Sequence, residues 1–249
     1  MKKYEILPVF LIFIAEILLF SGYRIACIAV HSLNILIITG IITYKKDIKL
    51  VQALSLISLL RIVNTSMPIF YSLTIYWFAT LYGIMFIPIA LLIKEQNLSL
   101  RDIGIKREGI SLLPLAVIIG IGLGSIEFLV LSPDPIIPSF TPVEVLKLGI
   151  VMLFFIGTVE EIIFRSLVQN RFEEKIGLMK GLIIASLMFG IMHSGYSNYK
   201  EILFASFAGL VLGFSFQKTK NLLFVITVHG VNNIILFGVL PFFIQYLLS

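Results

Sequence analysis

Glu160 and Glu161 lie side by side in the otherwise apolar stretch Ile156-Gly157-Thr158-Val159-Glu160-Glu161-Ile162-Ile163-Phe164-Arg165, and they are the residues of this chain most suited to chemistry. An ionisable side chain at membrane depth costs at least about 2.5 kcal/mol, so it needs a partner, a water-filled cavity or a job. Arg165 follows Glu161 by four positions, within reach along a helix to offset one negative charge. The other carboxylate then stays beside a like charge, where it readily takes up or releases a proton. Two histidines follow in later apolar runs, each with a partner four positions away: Phe189 before His193, and Asn233 after His229. Residues four apart share a helix face, so each pair can point into one cavity. Two carboxylates, two imidazoles, an amide and a guanidinium suffice for acid–base hydrolysis. A carboxylate helped by an imidazole takes a proton from water and hands it to a leaving amine. A second imidazole and the Asn amide donate hydrogen bonds to an oxyanion, most effectively where water is excluded. Ser166 and Ser194 are near in sequence, but neither lies in a nucleophile-elbow context.

The elements that must position these groups are membrane helices. Hydrophobic residues make up 59% of the 249 and charged residues 13%, against roughly 45–50% and about 25% in soluble domains. Mean hydropathy is +1.05. The fold expected is all-α, a polytopic transmembrane bundle without a large soluble domain. Cys27 is the one cysteine, which excludes an internal disulfide framework and a multi-cysteine zinc site. The net charge of +5 is spread over short loops and reads as a topology signal, with no nucleic-acid partner.

Apolar runs fall at Tyr4–Phe20, Arg24–Thr43, Leu50–Thr65, Ile69–Ile93, Ile110–Leu131, Glu144–Gln169, Leu178–His193, Glu201–Phe216 and Leu222–Leu248. Several match the ~20 residues a membrane helix needs, so about eight or nine membrane helices are expected. The third run is the weakest, because Gln52, Arg61 and Asn64 interrupt it and would suit an interfacial position. Pro241 in the last run removes a backbone donor and suggests a span followed by a tail helix. With a cytoplasmic amino terminus and nine crossings, nearly all loop Lys and Arg fall on one side, and only Arg24 and Lys200 on the other. That is the positive-inside pattern of a multi-pass cell-membrane protein. Lys2 and Lys3 before an apolar run imitate a secretory signal, but Glu16 and the lack of a small-x-small site favour a retained helix. The polar stretch Lys94–Gly109 divides amino-terminal helices (1–97) from a core (98–249) that holds nearly all the chemistry. On an α-helical rise, Glu160, His193 and His229 lie about 15 Å, about 20 Å and about 12 Å from the basic ends of their runs, similar depths that point to one shared site.

Glu160-Glu161-x-x-x-Arg165, Phe189-x-x-x-His193 and His229-x-x-x-Asn233, in that order on successive apolar runs, resemble the three signature motifs of the CPBP family, the CAAX-protease and bacteriocin-processing intramembrane proteases also called Abi. Leu98–Ile105 is similar to the polar, glycine-containing stretch before that family's core, so the resemblance spans roughly Leu98 to Leu240. It implies an intramembrane endopeptidase acting on a membrane-associated protein or peptide, with a prenylated CAAX terminus the best-known type. It implies that Glu160 and His193 activate water, that His229 and Asn233 bind the oxyanion, and that Glu161 and Arg165 support the first glutamate. Glutamate and histidine ligands with one open position would suit zinc, yet the H-E-x-x-H spacing is missing, and the likeness to CAAX endoproteases favours metal-free hydrolysis.

Plainer readings stand beside these. Glu161 with Arg165 also reads as a folding device, and either histidine alone as a satisfied polar group. Phe189 reads as packing, Asn233 as a possible bridge between helices, and Asn232 faces elsewhere on its helix. His31 and Glu16 read as polar neighbours in the bundle, and Arg61 and Lys147 as side chains that snorkel to an interface. Gly120-Ile121-Gly122-Leu123-Gly124 reads as close helix packing, since no strand precedes it as a phosphate loop requires. Two other functions compete: a proton-coupled transporter using the same acid–histidine cluster, and a non-catalytic scaffold or bacteriocin-immunity protein of the same fold.

Overall fold

The computed structural model describes residues 1–66 and 75–248, in which long helices carry the architecture and no strand occurs among the described residues. They are α1 (Lys3–Phe20), α2 (Arg24–Tyr44), α3 (Lys49–Ser66), α4 (Ile75–Glu95), α5 (Leu113–Leu131), α6 (Pro142–Ile176), α7 (Leu178–Ile191), α8 (Tyr199–Thr219) and α9 (Leu222–Ile244). The expected fourth run begins at Ile69, outside the described residues. Seven of the rods are long and apolar enough to cross a membrane. The other two, α1 and α3, have 18 residues each and carry Lys3, Glu5 and Glu16, or Lys49, Gln52, Arg61 and Asn64.

The third run is covered by protein. Helix α3 is interior, with Leu50, Val51, Ala53, Leu54 and Ile57 fully covered, and it touches α1, α2, α4 and α6. Its polar residues survive there because they have partners within the bundle. Arg61 accordingly does not snorkel: it is 4% exposed, bound to the wholly buried Glu16 of α1. Lys147 does keep a partly exposed side chain, bonded to Glu144 one turn earlier at 2.8 Å.

Helix starts follow capping chemistry. Thr141 accepts from the Glu144 N–H with Pro142 next in line, Asn198 accepts from Lys200, and Asn221 from Phe224. Pro241 does not break the last rod. The carbonyl four residues before it, that of Phe237, cannot receive a proline N–H and accepts instead from Ile136 N at 3.1 Å, while residues Ile235–Val239 widen into a π-turn. The proline-containing loop before α6 is thereby tied to α9. At the other end of these rods Gly104, at φ +89°, accepts from Leu222 N at 2.8 Å, and the Ile103 carbonyl accepts from Ser166 Oγ at 2.7 Å. Leu98–Ile105 thus caps α6 and α9.

Glycines set how close the site-bearing helices come. A Cβ on Gly120 would stand 2.6 Å from the Val228 carbonyl and one on Gly124 2.5 Å from that of Asn232, whereas Gly122 faces open space. The glycine run is therefore a contact of α5 with α9, made by its first and last glycines. A Cβ on Gly230 would meet the Leu153 side chain at 2.4 Å, and one on Gly157 the Met152 and Ile226 carbonyls at 3.0 and 3.3 Å. These bare positions let α6 and α9 cross beside the glutamate pair and His229.

Candidate active site

Helix α6 presents Glu160 and Glu161 from a single α-helical turn, Thr158–Glu161, set between two π-helical stretches, Val151–Gly157 and Ile162–Gln169. Such widened turns turn successive side chains by smaller angles than a regular helix does and are frequent at functional sites. The two carboxylates face different neighbours. Glu160 is 13% exposed and opens onto a cavity of about 350 Å³, while Glu161 is wholly buried behind it.

That cavity gathers Glu160, His193, His229 and Asn233 from two helical rods, α6 and α9, and the turn after α7. His193 lies just past the end of α7, in a turn where its Nδ1 bonds the Phe189 carbonyl at 3.0 Å. A carbonyl only accepts, so Nδ1 carries hydrogen and Nε2 remains for a proton. His229 Nδ1 meets Glu161 Oε1 at 2.8 Å, and its Nε2 stands 3.9 Å from Glu160 Oε2. Again the carboxylate fixes the hydrogen on Nδ1 and directs Nε2 into the site. Arg165 donates from Nε to the second oxygen of Glu161 at 2.9 Å and lays its guanidinium over the Phe189 ring, 4.7 Å from its centre. Phe189 in turn touches both imidazoles, with ring centres 5.1 Å from His193 and 5.8 Å from His229.

Glu160, Glu161, Arg165, His193, His229 and Asn233 are therefore in one neighbourhood. Glu161 and Arg165 brace His229, and among the described residues no side-chain hydrogen bond or ion pair joins Glu161 or Arg165 directly to Glu160. Asn232, next to Asn233, turns to Glu127 of α5. Ser166 and Ser194 are hydrogen-bonded elsewhere, to Ile103 and Glu16, and neither lines the cavity.

Several wall residues escaped the sequence reading. Tyr82 of α4 donates its hydroxyl to Glu160 Oε1, and Trp77 and Phe78 of the same helix close that side. Arg61 and Asn64 of α3, Tyr196 and Glu127 complete the polar lining. Glu127 carried a usable signal, an ionisable group inside the apolar run Ile110–Leu131, by the same criterion that marked Glu160. Tyr82 had none, because tyrosines at helix surfaces in membranes are common. The amino-terminal helices thus supply one wall of the cavity.

The described residues bring no three His, Cys, Asp or Glu side chains into a group able to hold a metal ion. Both oxygens of Glu161 already have partners, so that carboxylate is not available to a metal, while the ring nitrogens left over are His193 Nε2 and His229 Nε2.

Residues 142–235 match the family model described as type II CAAX prenyl endopeptidase Rce1-like. The matched stretch contains all seven residues of the three motifs, so the resemblance read from them holds over that part of the chain. No curated protein and no solved structure matches.

Proposed function

From a core that matches a CAAX prenyl endopeptidase model, we propose that this chain is an intramembrane endopeptidase that hydrolyses a peptide bond of a membrane-associated substrate with water activated by Glu160. The observation that carries this reading is the convergence of Glu160, His193, His229 and Asn233 on one largely buried cavity. A water between Glu160 and the scissile carbonyl loses its proton to the carboxylate as it attacks. Tyr82 holds the other carboxylate oxygen in place. His193, with Nε2 free to accept, relays the proton to the leaving amine. As negative charge develops on the carbonyl oxygen, Asn233 donates from its amide. His229 donates from Nε2 as an imidazolium, with its Nδ1 bonded to Glu161 and Glu160 nearby. Glu161 and Arg165 act by keeping that ring oriented. No step passes through a metal.

Substrates are proteins or peptides anchored in or at the bilayer, with a prenylated CAAX terminus as the type named by the matching model. The distribution of basic loop residues supports a cytoplasmic amino terminus. The test is cleavage of prenylated and unprenylated membrane peptides by purified protein in detergent, run beside proton flux in liposomes. Peptide products without flux are expected. Flux that needs Glu160, with no product, would instead make the chain a proton-coupled transporter.

A further inference from the structure

The ion pair between Glu16 and Arg61 lies outside the three motifs, yet it grips the turn that carries His193. Glu16 of α1 is wholly buried, and Arg61 of α3 donates to it twice, Nε to Oε1 at 2.7 Å and Nη2 to Oε2 at 2.8 Å. The same Nη2 also donates to the Met192 carbonyl. Glu16 Oε2 accepts from Ser194 Oγ at 2.5 Å. Met192 and Ser194 are the two neighbours of His193 in the chain, so a single pair holds the backbone on one side of the imidazole and the side chain on the other. Helix α2 completes the assembly: His31 Nε2 reaches Glu16 Oε1 at 3.1 Å, and its Nδ1 reaches Ser58 of α3 at 3.1 Å.

This grip falls past the end of α7. Helix α7 ends at Ile191, and His193 sits beyond it at φ −89° and ψ 7°, tied back to the helix by the bond of its ring to the Phe189 carbonyl, so the backbone of the turn around it needs holding from outside. A buried ion pair is weak evidence for stability, because the cost of desolvating both charges offsets most of their attraction. What it supplies well is a fixed geometry, here with one contact from each partner ending beside His193 in the same short turn.

We propose that Glu16 and Arg61 are positioning residues: the pair clamps Met192 and Ser194 and thereby sets the orientation of the His193 imidazole in the cavity. This rests on the reading of His193 as a proton carrier in the reaction. It assigns the amino-terminal helices α1 to α3 a part in catalysis although they lie outside the matched stretch of residues 142–235.

The test uses the full chain in detergent with a membrane peptide as substrate. Removing only one charge leaves the other buried and unpaired, so the informative variants are Ser194→Ala, which releases one side, and the double variant Glu16→Gln/Arg61→Met, which removes both charges together. The expected loss in kcat is about tenfold for Ser194→Ala and about a hundredfold for the double variant, the scale of a misplacement near 1 Å. KM should stay within about twofold, since binding of the substrate is not what changes. In ¹⁵N-histidine NMR spectra the His193 ring signals, identified by their loss in His193→Gln, should move in both variants while those of His229 stay. Gln52→Leu, which cuts a buried contact with Gln96 far from His193, should lower thermal stability but keep kcat. Folded clamp variants with wild-type kcat and unmoved His193 signals overturn the proposal. If the wild-type protein cleaves no peptide, the proteolytic reading fails by itself, and the His193 signals still decide the clamp: moved signals sustain it, unmoved ones end it.

Discussion

Glu161→Gln separates the two jobs that His229 can do in such a site. In the wild-type structure Glu161 serves two donors, Arg165 Nε at 2.9 Å on one oxygen and His229 Nδ1 at 2.8 Å on the other. Glutamine keeps the shape but has one oxygen and one NH₂. Arginine never gives up its proton, so the oxygen turns to Arg165 and the NH₂ faces Nδ1. The imidazole must then present a lone pair at Nδ1 and carry its hydrogen on Nε2. If His229 is an oxyanion donor, it still donates from Nε2, but as a neutral ring. Hydrogen bonds to charged groups contribute about 1.5–3 kcal/mol and neutral ones about 0.5–1.5, a difference of about 1–1.5 kcal/mol and so roughly a five- to tenfold loss in kcat. If His229 were instead the base, its accepting nitrogen would point the wrong way, and the loss would be near 10⁴-fold, as in carboxylate–imidazole dyads converted to the amide. The assay is single-turnover cleavage of a membrane peptide, normalised to folded protein, because the weakened partnership of buried Arg165 lowers stability. A loss of three decades or more would falsify the oxyanion assignment, and an unchanged rate would take Glu161 out of the mechanism.

Asn233→Ala removes a neutral donor and no titratable proton, so turnover should fall by roughly a hundredfold; unchanged cleavage of the same peptide would exclude it from the oxyanion site. Gly124→Ala puts a methyl group 2.5 Å from the Asn232 carbonyl, where backbone must yield, and should destabilise by about 1–3 kcal/mol and lower kcat. Gly122→Ala, with nothing within 4 Å, should do neither, and equal behaviour of the two in thermal unfolding would contradict the helix contact. Activity should survive exhaustive chelation with far less than one zinc per chain in metal analysis; stoichiometric zinc whose removal stops cleavage and whose return restores it would overturn the metal-free reading.

What could be read in the sequence was whatever depends on one helix at a time. Hydropathy runs matched the observed rods, and spacing of four put Phe189 with His193 and His229 with Asn233 in the same cavity. Which helix faces which is a different kind of information. Glu16 meets Arg61 across 45 positions, Tyr82 meets Glu160 across 78, and His229 meets Glu161 across 68. No periodicity records those meetings; that of His229 with Glu161 follows from a crossing of α6 with α9 set by bare glycines such as Gly157 and Gly230. The π-helical turns on both sides of Thr158–Glu161 change the angular step between neighbours, so a regular helical wheel misjudges where adjacent glutamates point. Arg61 was misplaced because a charged residue in a weak apolar run looks interfacial until its partner in another helix is known.

The central claim is that Glu160 activates water for peptide hydrolysis, and the most direct measurement is the cleavage rate of Glu160→Gln on a membrane peptide, with folding checked by detergent chromatography and thermal unfolding. The substitution keeps shape and removes the acceptor of the proton, so a loss of at least about a hundredfold to ten-thousandfold is predicted, with the protein folded as before. Wild-type cleavage by the folded variant would contradict the account.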